Sequence, residues 1–241
     1  MCKYCRCEDL VKNGFVRNKQ RYRCVKCGKN QVAGDLRVKY ANAIRKQALA
    51  MYLNSSGLRS IGRVLGVPFQ LVSRWVADAG RIVEEEIMKL RMNPRHVSIL
   101  EMGRAIHLRS KKQQQVRVWL AVDRDRNEVI AAHIGGGAWE DARQLYWQIH
   151  RRTIDLIATD GNYSYETMFP VYQQHVVTKA ETCLVEAKTS SLRDMLARLN
   201  RRTKRYSKSL DMLRYSVWLW MRKDFALSAD QRARVPHQRW P

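Results

Sequence analysis

The chain has 241 residues, 45% of them apolar, which is enough to bury a real core, and no apolar run approaches membrane-spanning length. Its formal net charge of +23 exceeds anything solubility requires and points to a polyanionic partner. The excess sits at the two ends, with 16 basic against 4 acidic residues in 1–80, 15 against 14 in 81–186 and 14 against 4 in 187–241. Cationic ends of this kind suit a nucleic-acid backbone, which they bind by releasing its counterions.

In chain order, the first feature is a pair of Cys-x-x-Cys turns, Cys2/Cys5 and Cys24/Cys27. Each such turn aims two sulfurs at one point, and four thiolates suit a tetrahedral structural zinc ion, with a β-hairpin between the pairs. Residues 1–36 therefore read as a zinc ribbon, in which Cys7 competes with Cys5 as a ligand. With no secretory signal a reducing compartment is expected, hence zinc rather than disulfides and a cytoplasmic, nucleoid-associated protein. Cys183 stands alone and reads as a buried, unreactive thiol.

Residues 37–82 read as a helix-turn-helix. Ile44, Ala48, Met51 and Tyr52 recur at helical spacing over 43–54, Ser55, Ser56 and Gly57 end that helix, and Leu58, Ile61, Val64 and Leu65 form a second stripe. Gly66 supplies a turn and Pro68 suits the first position of a third helix. On that helix Leu71, Val72, Trp75 and Val76 face inward, whereas Gln70, Ser73 and Arg74 share the outer face and can reach base edges. Arg59 and Arg63, on the second helix, approach phosphate.

A helical connector with Glu84, Glu85 and Glu86 follows, giving a linker at 83–95. Strand patterns then cover 96–106, 116–123 and 128–134, with Arg124 to Asn127 as a turn in which Arg124 caps Asp123. A helical pattern over 139–150, a strand at 154–159 ending on Asp160-Gly161, a strand at 175–178 and a helix over 184–201 complete the series. Three strands, then helix, strand, helix, strand and helix, is the order of an RNase H-like fold. The expected architecture is mixed α/β: a zinc ribbon and helix-turn-helix, then an RNase H-like domain over 96–224 with a mixed sheet flanked by helices. Leu210, Leu213, Val217 and Met221 form a packing stripe on a last helix over 209–224. Trp147, Trp218, Trp220 and Trp240 read as core or dimer contacts rather than base-stacking platforms, and 225–241 as a basic tail with nonspecific DNA affinity.

The chain from Cys2 to about Ser209 resembles the transposases of the bacterial insertion-sequence-one family. The stretches that carry the likeness are Val11-Lys12-Asn13-Gly14, Gln20-Arg21-Tyr22-Arg23-Cys24, Ser60 to Val67, Trp119 to Arg124, Thr159-Asp160-Gly161, His175-Val176-Val177 and Ser207-Lys208-Ser209. The resemblance implies a zinc ribbon, a helix-turn-helix that binds the terminal inverted repeats of double-stranded DNA, and a DDE domain in which three carboxylates hold two Mg²⁺ or Mn²⁺ ions for strand cleavage and transfer. It also implies a homodimer or higher assembly, because two ends are paired. Asp160 matches the second carboxylate and Glu186 the third.

The first carboxylate is where the chain departs. The family run Leu-Asp-Glu-Met-Trp is matched to Ile99 through Gly103, which sets Leu100 at the Asp position, beside Asp160 and Glu186. Glu101 should point to the opposite face and substitutes only if a bulge near Gly103 re-aims it. Asp123 belongs to a turn. The family's Glu-Arg-polar-Asn is here Glu186-Ala187-Lys188-Thr189. The resemblance thus leads to a DNA transposase impaired at Leu100, or to a catalytically inert DNA-binding protein that blocks transposition.

Overall fold

The structure is a computed structural model that describes residues 1–4, 7–33, 40–111, 114–136, 138–162, 165, 169, 173–199 and 209–228. Three strands come first, β1 (Leu10–Val16), β2 (Lys19–Cys24) and β3 (Asn30–Val32), paired antiparallel in that order. Arg17 and Asn18 both have positive φ, 48° and 59°, which is what the two-residue turn of a tight hairpin demands.

Helices α1 (Asn42–Leu53), α2 (Leu58–Leu65) and α3 (Phe69–Met92) follow. Gly66 ends α2 in the left-handed region, and Pro68 caps α3 from just outside it rather than filling its first turn. The close turn between α2 and α3 needs Gly62, since a Cβ there would lie 2.6 Å from the Val67 carbonyl oxygen. Val72, Trp75 and Val76 are buried and Leu71 is half-buried, as the stripe requires. The third helix does not stop at the expected linker: α3 runs unbroken for 24 residues to Met92, carrying Glu84, Glu85 and Glu86 within it.

A five-stranded sheet follows, in the order β6 (Glu128–Gly135), β5 (Gln114–Asp123), β4 (Val97–Lys111), β7 (Ile154–Thr159), β8 (Gln174–Val177). The first three strands are antiparallel neighbours, while β7 runs parallel to β4 and β8 parallel to β7, so the sheet is mixed. Helix α4 (Trp139–Tyr146) covers one face, where Val97, Leu100, Met102, Trp119, Ala121 and Ile157 pack with Ala142 and Leu145. The other face carries Val116, Val118, Leu120 and Val122 and is covered by α5 (Cys183–Met195) and α6 (Leu210–Met221). A short helix, α7 (Lys223–Ser228), closes the described chain. The segment between β7 and β8, where the fold order calls for a helix, and the arm after 228, including Trp240, lie largely or wholly outside the described residues.

Helix α6 is not a one-stripe helix. Leu213, Tyr215, Ser216, Val217, Trp218, Leu219 and Trp220 are all buried, because α6 is sandwiched between the sheet and α3. Trp218 and Trp220 are therefore core, whereas Trp147 is exposed against His150. The same core continues through α3 into α1 and α2, and the Tyr52 hydroxyl meets Ser216 Oγ at 2.6 Å inside it. Helices α3 and α6 come close at Gly80, where a Cβ would lie 2.4 Å from Tyr215 Cβ. Gly80→Ala is expected to force them apart and to cost about 1–3 kcal/mol, seen as a lower thermal midpoint. An unchanged midpoint would mean that α3 slides over α6 freely.

Candidate functional site

Cys2, Cys24 and Cys27 are buried, with their sulfurs all within 4.8 Å of one another. Cys2 and Cys27 Sγ are 3.7 Å apart, close to the edge of about 3.8 Å that four Zn–S bonds of about 2.3 Å would produce. Cys7 Sγ lies 3.0 Å from Cys24 Sγ, which brings Cys7 to the same cluster. Cys5 lies outside the described residues. The donor chemistry and spacing fit a zinc ribbon. Cys183, by contrast, is exposed at the start of α5 rather than buried, because its side chain turns back toward the Ala180 carbonyl.

Arg59, Arg63, Gln70 and Arg74 are exposed and Ser73 is half-buried on the outer side of α2 and α3. The Arg59 guanidinium stacks over the Phe69 ring at 5.4 Å. Between this face and the region joining α5 to α6 runs a groove of about 570 Å³, to which Arg59, Arg63, Ser73 and Arg198 contribute.

Strand register decides what surrounds Asp160. On β4 and β7 Leu100 pairs with Ile157, Glu101 with Ala158 and Met102 with Thr159, so the next residues in line are Gly103 and Asp160. Leu100 is fully buried among Ile157, Trp119 and Leu145 on the α4 face. Alternation sends Leu100 to the face opposite α5 and so away from the helix that carries Glu186, while Asp160 lies one residue past the last pair of β4 with β7. Glu101 and Gly103 point to the α5 side, and a Cβ on Gly103 would lie 3.0 Å from Val185 Cγ1. Gly103 is the β4 residue that meets Val185, the residue before Glu186 on the helix.

Glu101 does face opposite to Leu100, and the irregularity in β4 falls between Arg104 and Ile106, past Gly103, so it does not re-aim Glu101. Only 2% exposed, Glu101 is fully engaged. Its Oε1 accepts from Arg124 Nε at 2.8 Å, and its Oε2 accepts from the backbone N–H groups of Leu184 and Val185 at 2.9 and 3.0 Å. Those N–H groups belong to the first turn of α5, whose preceding residue Thr182 makes no side-chain cap. A carboxylate from the sheet thus caps the helix and complements its dipole. Arg124 continues the network, donating to Glu181 Oε2 at 2.7 Å and to the Glu181 carbonyl at 2.6 Å. Arg124 therefore does not cap Asp123. Arg126 does, through its backbone N–H at 3.1 Å and its guanidinium at 2.7 Å.

Asp160 Oδ1 is buried without a hydrogen-bond partner among the described residues. Near it lies the Tyr165 hydroxyl, also buried and unpartnered, whose pKa is pushed up by burial first and by the Asp160 charge second. Glu186 is exposed on the first turn of α5. Gly103, Tyr165 and the Glu101–Arg124–Glu181 network are features that linear spacing does not single out, since each depends on strands and helices meeting across the fold.

The family model for IS1 transposases matches residues 97–225, just over half of the chain. The chain belongs to the IS1 transposase family. No curated protein sequence matches it. The matched span opens on β4 and closes inside α7, so it holds the whole five-stranded sheet. Among the described residues, no helix is long and apolar enough to cross a membrane.

IS1 transposases, like DDE transposases in general, work with divalent metal ions, and the donors present fit such ions only in part. Asp160 offers an orphaned oxygen and Glu186 an exposed one. Leu100 and Gly103 offer none, and both Glu101 oxygens are occupied by donors from the protein itself.

Proposed function

We propose that this IS1-family protein binds the inverted-repeat ends of its element without cutting them. The observation that carries this is the donor set of β4: Leu100 and Gly103 offer no ligand, and both oxygens of Glu101 are taken by Arg124 and by the N–H groups of Leu184 and Val185. Two carboxylates recruit divalent cations less well than three, and a donorless position leaves one coordination direction to water. DNA contact falls to Arg59 and Arg63 on phosphate and to Gln70, Ser73 and Arg74 on base edges, supported by the exposure of that face and the basic N-terminal region. End pairing by two copies makes a homodimer in the cytoplasm, on the nucleoid, the expected form.

The test is a duplex bearing the element's ends, incubated with purified protein and Mg²⁺ or Mn²⁺. Sequence-specific retention with no nicked or joined product is expected. Product formation that Asp160→Ala abolishes would overturn the inert reading and establish the second one, an active transposase. That second reading is favoured by the orphaned, buried Asp160 oxygen, the kind of group a cation satisfies.

In the N-terminal module, zinc held by Cys2, Cys24 and Cys27, with Cys5 or Cys7 as fourth ligand, would lock the hairpin to the chain start. Cys24→Ser is expected to release about one zinc per chain and to weaken end binding by roughly tenfold or more, since ribbon folding and metal binding share one free energy. Metal analysis of wild type and variant checks this, and full zinc retention by the variant refutes the ligand assignment.

A further inference from the structure

Beside the β5–β6 turn, where α3 and α6 both end, lies a cavity of about 140 Å³ lined by the five arginines Arg91, Arg95, Arg126, Arg152 and Arg222. Two carboxylates face it, and both are committed. Asp123 is held by Arg126, and Glu128 Oε1 accepts from Arg222 Nη1 at 2.6 Å. Among the described residues no carboxylate lies within ion-pair distance of Arg91, Arg95 or Arg152. Arg91 donates to Gln148 Oε1, and Arg152 Nη1 to the Arg95 carbonyl at 3.4 Å. The Nε–H groups of Arg91 and Arg222 are buried with no acceptor.

Cations held together out of water repel one another and lose hydration. Burial pushes the guanidinium pKa of Arg91 down, with Arg152 adding to the effect and Glu84 opposing it. Arg152 is lowered by burial and by Arg95 and Arg126, against Asp123 and Glu128. A fold that gathers three arginines without an ion-pair contact around a cavity, and leaves the buried Nε–H of Arg91 without an acceptor, is suited to an anion that accepts several N–H bonds at once.

We propose that this cavity is a binding site for a phosphate group. Its volume is well under the roughly 300 Å³ at which small-molecule pockets begin, but is adequate for one tetrahedral oxyanion, which planar guanidinium forks match. The phosphate is either free or part of a nucleic-acid backbone. The second source has a path, because an adjoining trough of about 500 Å³ shares Arg126 and Arg222 and adds Lys188 and Lys223. The site goes beyond the end-binding reading, since it uses none of the residues assigned there to DNA or to catalysis.

Thermal denaturation of the full chain in inorganic phosphate, against chloride at equal ionic strength, tests the assignment. At a phosphate concentration of 100 times Kd the wild-type midpoint should rise by roughly 5–11 °C. Arg152→Gln and the exposed Arg95→Gln should each lose most of that rise; the second removes no buried group, so it reports on binding without threatening the fold. No rise in the wild type, or an equal rise in both variants, overturns the proposal. Binding to a nonspecific duplex then distinguishes the sources. A salt dependence shallower by about 0.9 in Arg95→Gln identifies a backbone phosphate, and an unchanged slope with the phosphate effect lost identifies the free anion; either supports the site.

Discussion

Gly103→Asp is expected to turn this protein into a metal-dependent DNA-cleaving enzyme. The substitution sets a carboxylate on the α5 side of β4, one residue past the last β4–β7 pair and against Val185, the neighbour of Glu186. A divalent ion held there contributes several kcal/mol of charge stabilisation, and each 1.4 kcal/mol is tenfold in rate, so cleavage of end-bearing duplex should rise roughly 10²–10³-fold above background. The new Cβ meets Val185 Cγ1 at 3.0 Å, so Val185 has to yield by a few tenths of an ångström, and the companion Val185→Ala removes that obstacle. Adding Asp160→Ala to the gain-of-function variant should return cleavage to background. Leu100→Asp provides the contrast. It buries a charge in the apolar α4 face and should unfold the domain without creating activity. Cleavage by folded Leu100→Asp, with none by folded Gly103→Asp, would refute the placement of the missing ligand.

Glu101→Ala is expected to be the most destabilising exposed-charge-sparing change in the sheet. It removes a carboxylate that accepts from Arg124 and from two backbone N–H groups of α5, leaving a guanidinium and a helix start without their acceptor. Removing one partner of a buried ion pair costs about 3–5 kcal/mol, which for a chain of this size lowers the thermal midpoint by roughly 6–20 °C. Glu101→Gln keeps an acceptor oxygen for the N–H groups and should lose less than half as much. A double-mutant cycle with Arg124→Ala measures the coupling, and additive losses would mean that the two side chains act independently. Cleavage assays on Glu101→Gln in the Gly103→Asp background separate the structural role from metal ligation, because an anchoring residue leaves the metal dependence unchanged.

The readable part of this fold was the part governed by local period. The stretch 116–123 falls wholly within β5, 154–159 coincides with β7, and Gly66 makes the turn between α2 and α3. What local pattern could not supply was the identity of the two faces. Alternation on β4 separates Leu100 and Met102 from Glu101 and Gly103, but the apolar pair looks inward-facing and the Glu looks like a solvent residue. Only the docking of α5 onto that face makes Glu101 internal. The same limit explains Arg124: a turn residue is naturally matched to its neighbour Asp123, while its real partners are 23 and 57 positions away. It explains α6 as well, whose apolar residues point all round because it is covered on two sides. The 83–95 segment looked like a boundary because its acidic run breaks the basic pattern, yet nothing in it stops a helix before Pro94.

That uninterrupted α3 has a mechanical meaning for a DNA-handling protein. Its 24 residues span about 36 Å, close to one turn of duplex DNA, and Gly80 clamps its middle to α6 and through it to the sheet. The helix is a ruler: the exposed face at its start and the sheet beside its later turns are held at a constant separation and angular phase. Lengthening the ruler by one residue would rotate its two ends by about 100° relative to each other, so the relative setting of the two halves is written into the protein as helix length.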